Sequence, residues 1–102
     1  MNIIVNKSDI SVGKITIMET DFSRIGITLI ENKYFAFEDI CTHDGEPISE
    51  GNFTGNCIEC PRHGAQFNVQ TGEALCMPAT ENLKIYPLVE KADTLEIILE
   101  EV

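Results

Sequence analysis

Two short clusters, Cys41-Thr42-His43 and Cys60-Pro61-Arg62-His63, hold both histidines and two of the four cysteines of this chain, with sixteen residues between them. Each lies among turn formers, Thr42, Asp44 and Gly45 in the first and Pro61 and Gly64 in the second, so each can present its side chains from a loop tip. Two thiolates and two imidazoles complete a four-ligand set. Cys/His groups at such spacing in a reducing compartment bind metal more often than they form disulfides. The chain must therefore fold so that two loops clasp one centre.

Cys2His2 is also a tetrahedral zinc set. Zinc fingers, however, usually place a cysteine pair before a histidine pair, whereas here each loop contributes one sulfur and one nitrogen. That division better suits the two irons of a [2Fe-2S] cluster, one bound by Cys41 and Cys60 and the other by His43 and His63. Anionic thiolates favour ferric iron, so the imidazole-bound iron is the one to receive an electron.

The rest of the sequence supplies a β scaffold. Lys14–Glu19 and Arg24–Leu29 alternate polar and apolar residues with the two-residue period of half-buried strands. Glu31-Asn32-Lys33 reads as a tight turn into Tyr34–Phe37, and Asn82–Val89 and Thr94–Leu99 read as a second hairpin joined by Glu90–Asp93. Between them, residues 38–80 hold five of seven glycines, three of four prolines, all the cysteines and both histidines. The pattern predicts one all-β domain over 1–102, with a scaffold of about 1–37 and 81–102 and a loop-rich, cluster-binding insert of about 38–80. Little helix is expected, beyond one turn near Ser8-Asp9-Ile10.

At 102 residues the chain buries roughly two-thirds of its unfolded surface, enough for one modest core that a bound cluster would reinforce. Seventeen acidic against seven basic residues give a net charge of -10, which argues against nucleic acid or an anionic membrane as partner. It suits docking on a basic protein surface, or serves solubility alone. The start, Met1–Asn6, lacks the basic and apolar regions of a signal peptide, and no apolar run approaches eighteen residues, so a cytoplasmic location is expected.

The run from Cys60 to Glu73, C-P-R-H-G-A-Q-F-N-V-Q-T-G-E, resembles the second cluster-binding segment of Rieske-type ferredoxins, a C-P-x-H-G-x-x-F-x-x-x-T-G pattern. Pro78-Ala79, followed by Leu83 and Tyr86, is similar to the continuation of that family into its scaffold. The resemblance implies a Rieske fold of antiparallel sheets and one [2Fe-2S] cluster on Cys41, His43, Cys60 and His63. It also implies a monomeric carrier passing single electrons from a flavin-dependent ferredoxin reductase to a terminal Rieske oxygenase of ring-hydroxylating dioxygenase type. Docking is expected near His43 and His63 with apolar contact from Ile48 and Pro78, and Pro78 and Ala79 are expected to shield the cluster.

High-potential Rieske proteins add a disulfide-forming cysteine to each loop, where this chain has Glu46 and Arg62, and place serine and tyrosine donors where it has Ala65 and Phe67. Donors near sulfur raise the potential by stabilising the reduced charge, so their absence predicts a low-potential carrier. Glu46 and Arg62 could pair across the loops or remain solvated. Cys57 and Cys76 are expected to be buried, non-ligand thiols on short strands. Both histidines being assigned to the cluster, none remains for a mononuclear iron, and the chain is expected to be an electron-transfer component without catalysis of its own. Two other readings stand beside this one: the small Rieske subunit of an assimilatory nitrite reductase, and a zinc-binding regulatory module.

Overall fold

A computed structural model describes residues 2–21, 23–42, 45–62, 64–77 and 81–99. Among these, eleven strands follow in chain order: β1 Asn2–Asn6, β2 Thr16–Glu19, β3 Arg24–Ile30, β4 Lys33–Glu38, β5 Phe53–Thr54, β6 Cys57–Glu59, β7 Gln66–Asn68, β8 Ala74–Cys76, β9 Ile85–Tyr86, β10 Leu88–Glu90 and β11 Thr94–Ile98. The one helical element is a short 3-10 turn at Lys7–Asp9, where the sequence suggested a single turn. The strands form three antiparallel sheets, ordered β1-β11-β10, β2-β3-β4-β9 and β5-β6-β7-β8.

The central hairpin follows from its turn. Ile30 pairs with Lys33, which leaves a two-residue loop, and Glu31 and Asn32 take φ of 50° and 67°. Positive φ at both central residues matches the turn to the right-handed twist of β3 and β4.

Within the scaffold the structure departs from the sequence reading in three places. The run from Asn82 to Val89 is not one strand: β9 pairs with β4, β10 pairs with β11, and Pro87, which has no N–H to donate to a ladder, stands between the two sheets. The strand at the N-terminus, β1, pairs along β11 and completes a sheet that the sequence suggested only as a hairpin. β3 is buried on both faces. Ile25 and Ile27 enter one core, while on the other face the Phe37 ring covers Gly26 and the buried Thr28 hydroxyl donates to the Lys14 carbonyl at 2.8 Å.

The insert is more regular than expected, because residues 53–76 build a four-stranded sheet of their own. Ile58 and Phe67, paired across β6 and β7, point inward and join Phe37, Cys41, Ile48, Cys60, Ala65, Val69 and Leu83 in one core. A second core gathers Val5, Ile10, Ile25, Ile27, Ala36, Tyr86, Leu95 and Ile97. Adjacent residues of β4 thus divide between the cores, Ala36 in one and Phe37 in the other, by the two-residue period of the strand.

Candidate metal centre

Cys41 and Cys60 head two loops of matching construction. In the first, the Cys41 N–H donates to the Glu46 carbonyl at 2.7 Å and the Gly45 N–H to the Cys41 carbonyl at 2.7 Å. In the second, the Cys60 N–H donates to the Ala65 carbonyl at 2.7 Å and the Gly64 N–H to the Cys60 carbonyl at 3.1 Å. The fifth residue of each is a glycine with nearly the same left-handed φ, 79° at Gly45 and 78° at Gly64, a region that side chains with a Cβ disfavour. The sequence hid this equivalence, because its histidines fall at different positions, third in one loop and fourth in the other.

Both thiols lie at the floor of the site. Cys41 is 0% and Cys60 1% exposed, they share one core, and none of the four cysteines is in a disulfide. Within the same loops Gly45 and Glu46 in the first and Pro61 and Arg62 in the second are exposed. Two buried thiols in one core at equivalent loop positions are a donor set that fits a soft metal centre. His43 and His63 lie outside the described residues, as do Pro78 and Ala79.

Second contacts fix the loops in the scaffold. The Asp39 carboxylate, fully buried, accepts from the Ile48 N–H at 2.9 Å, the Ser49 N–H at 2.8 Å, the Ser49 hydroxyl at 2.7 Å and Arg24 Nε at 2.7 Å. Sequence reasoning missed Asp39, because an aspartate near a turn reads as a surface residue and nothing local marks it as buried. Its carboxylate raises the Arg24 pKa above the ordinary guanidinium value. Thr42 ties the first loop to the segment after residues 78–80, donating its hydroxyl to the Glu81 carbonyl at 2.7 Å. The Ala74 N–H donates to Asn82 Oδ1 at 3.0 Å and the Leu83 N–H to the Gly72 carbonyl at 2.7 Å, so that segment is also anchored to the β7–β8 connection.

Two expectations fail here. Ile48 is 0% exposed and packs beneath the thiols, so it cannot contribute to a docking surface. Cys57 and Cys76 do lie on short strands, but they are not buried: Cys57 is half-buried and Cys76 exposed, because both occupy the outer face of the small sheet. The Cys76 thiol sits 3.4 Å from the Gly64 carbonyl and that of Cys57 3.7 Å from Gln66 Oε1. Burial, with Cys76 and Glu59 nearby, pushes the Cys57 thiol pKa up, the opposite of what a reactive thiolate needs. Ala65 and Phe67 are fully buried and carry no hydroxyl to donate toward sulfur. Glu46 and Arg62 are exposed, which limits any pairing between them to about 0–1 kcal/mol.

Residues 2–87 match the family model described as the Rieske [2Fe-2S] domain. The chain belongs to the Rieske [2Fe-2S] family. It is 34% identical over 93 residues to the ferredoxin component of the naphthalene 1,2-dioxygenase system of Pseudomonas putida, covering 91% of this chain and 88% of the relative. Over 72 residues it is 44% identical to the 3-phenylpropionate/cinnamic acid dioxygenase ferredoxin subunit of Photorhabdus laumondii, covering 70% and 69%. A chain of the complex of reduced oxygenase and oxidized ferredoxin in carbazole 1,9a-dioxygenase superposes with a TM-score of 0.83 at 30% identity, covering 92% of this chain and 97% of that one. This Rieske protein is an electron-transfer component of the ferredoxin type, holding a [2Fe-2S] cluster and catalysing no substrate reaction itself. Among the described residues no helix is long and apolar enough to cross a membrane.

Proposed function

We propose that this protein is a low-potential, monomeric, cytoplasmic Rieske ferredoxin that takes single electrons from a flavin-dependent ferredoxin reductase and delivers them to a terminal ring-hydroxylating oxygenase. The observation that carries the reading is the matched pair of loops, each with a buried thiol at its base and exposed residues beside it. Cys41 and Cys60 hold one iron of the cluster from the core side, and His43 and His63 hold the other. When bound, the cluster accepts and releases one electron. The polypeptide keeps the thiolates dry with Phe37, Ile58 and Phe67, denies sulfur the extra donors that would raise the potential, and brings the histidine-bearing loops to the surface where a partner docks.

Docking takes its apolar contact from Leu75 and Met77, 44% and 75% exposed, in place of Ile48. They flank Cys76, whose contact with the Gly64 carbonyl sets them beside the second loop. The net charge of -10 steers encounter with basic surfaces on reductase and oxygenase. Residues 38–80 work as the cluster-binding unit on the scaffold of 1–37 and 81–102. The test is reconstitution: with reductase, oxygenase and aromatic substrate present, oxidised product forms only when this protein is added. Two irons and two sulfides per chain are expected, lost in Cys41→Ser and Cys60→Ser. Product formation without this protein in every pairing of reductase and oxygenase would refute the role, and a chain loaded with zinc would refute the centre.

A further inference from the structure

Asp39 is a charged side chain with 0% exposure, and it lies two residues before Cys41. Two residues of chain span at most about 7 Å between Cα atoms, so Asp39 belongs to the immediate surroundings of a cluster bound at Cys41. Its hydrogen-bond partners are the Ile48 and Ser49 amides, the Ser49 hydroxyl and Arg24. Among the described residues Arg24, on β3, is the cation paired with it, at 2.7 Å, and is 32% exposed on its side-chain surface. Glu19, 69% exposed, also approaches Arg24, at 3.5 Å.

We infer that the Asp39–Arg24 pair is a positioning and potential-setting device: it closes the base of the first ligand loop and places a fixed negative charge, offset by one arginine, beneath the cluster. The inference rests on Cys41 being a cluster ligand. Geometry supports the first half. The Asp39 carboxylate joins residue 39 to residues 48 and 49, closing a ring that contains the whole loop from Cys41 to Glu46, and the Asp39 N–H donates to the Arg24 carbonyl at 2.8 Å. A chain whose loops lack the cysteines for a bracing disulfide is braced here by a buried carboxylate. Charge supports the second half. Reduction adds an electron to the centre, and a buried anion nearby opposes that electron more than an exposed one does, because less water screens it. Arg24, partly in water, offsets the charge at closer range to Asp39 than to the cluster.

The two partners therefore move the potential in opposite directions. Arg24→Gln leaves Asp39 without its counter-charge and lowers the potential, shifting the ratio of reduced to oxidised protein at a fixed ambient potential about tenfold toward oxidised. That is about 59 mV for a one-electron step. Asp39→Asn shifts it about tenfold the other way, the double variant returns toward wild type, and Arg24→Lys, which keeps the charge, stays near wild type. Glu19→Gln, removing an exposed charge, changes the ratio less than twofold.

The readout is spectroelectrochemical titration, with the visible and EPR spectra of each variant confirming an intact cluster. Arg24→Gln with an intact spectrum and an unchanged or raised potential overturns the inference, as do single variants that both shift in the same direction, the pattern of a merely structural disturbance. If Asp39→Asn fails to retain the cluster, Arg24→Gln against Arg24→Lys decides the question alone. Failure of the underlying assignment looks different: Cys41→Ser would then keep the wild-type spectrum whatever the potentials do.

Discussion

Replacing Gly51 by alanine should destabilise the protein more than its place in an irregular segment suggests. Gly51 packs against the backbone of Glu59, the residue before Cys60, so closely that a Cβ would overlap the Glu59 carbonyl and stand 3.1 Å from Pro61 Cδ. Relief requires residues 51–52 to separate from residues 59–61. That separation breaks the bond from the Glu59 N–H to the Asn52 carbonyl, now 2.9 Å, for about 0.5–1.5 kcal/mol. Overpacking adds about 1–3 kcal/mol. The total, about 1.5–4.5 kcal/mol, is a large share of the 5–15 kcal/mol typical of a domain. It predicts a fall in Tm of at least about 6 °C at this chain length. Scanning calorimetry at one scan rate, with visible absorbance reporting the cluster, measures it. The control is Gly13→Ala, where φ is 74° and nothing lies within 4 Å, so only the backbone cost of about 1–2 kcal/mol applies. If Gly51→Ala melts within about 2 °C of wild type, or Gly13→Ala costs more, close approach is not what the glycine provides.

Cys57→Ser and Cys76→Ser should each retain the colour and iron content of the wild type; bleaching of either would mean that the ligand assignment is wrong. The Cys57 thiol has a folded-state pKa above its unfolded value, so its contribution to stability is complete below the unfolded thiol pKa and is lost as pH rises through the folded one. Stability measured by denaturant titration should therefore fall above roughly pH 8.5, and Cys57→Ser should flatten that decline; an equal decline in the variant would refute the linkage. Met77→Ser and Leu75→Ser should raise the ferredoxin concentration needed for half-maximal oxygenase turnover several-fold while leaving the reduction potential unchanged, and no change in that concentration would remove them from the docking face. Raising ionic strength from 50 to 500 mM should slow electron delivery, since the Debye length over which the charge of -10 acts falls from about 14 Å to about 4 Å; a salt-independent rate would refute steering.

Strands long enough to show a period were legible in the sequence. The alternation through Arg24–Leu29 located β3, and Glu31-Asn32 located the turn after it. In the insert only short strands at Cys57 and Cys76 were expected, because two or three residues, as in Phe53–Thr54 or Gln66–Asn68, carry no measurable period. The split at Pro87 was hidden for a different reason: residues on both sides favour strands, and only tertiary pairing decides that β9 and β10 join different sheets. Burial depends on what lies overhead, so Ile48 and Asp39 were misjudged or missed while Cys41 and Cys60 were found. The thiols announced themselves by chemistry and spacing. The carboxylate that closes their loop had no such signal.

Ala36 and Phe37, neighbours on one strand, face different cores. A protein with two cores can in principle melt in two stages, one half outliving the other. A common wall removes that option, since β4 cannot leave the core around Cys41 and remain seated in the one around Leu95. Loss of iron would then be felt throughout the molecule, lowering the resistance of the far sheet to opening and to proteases. A chain of this design makes the metal site part of the stability of both cores.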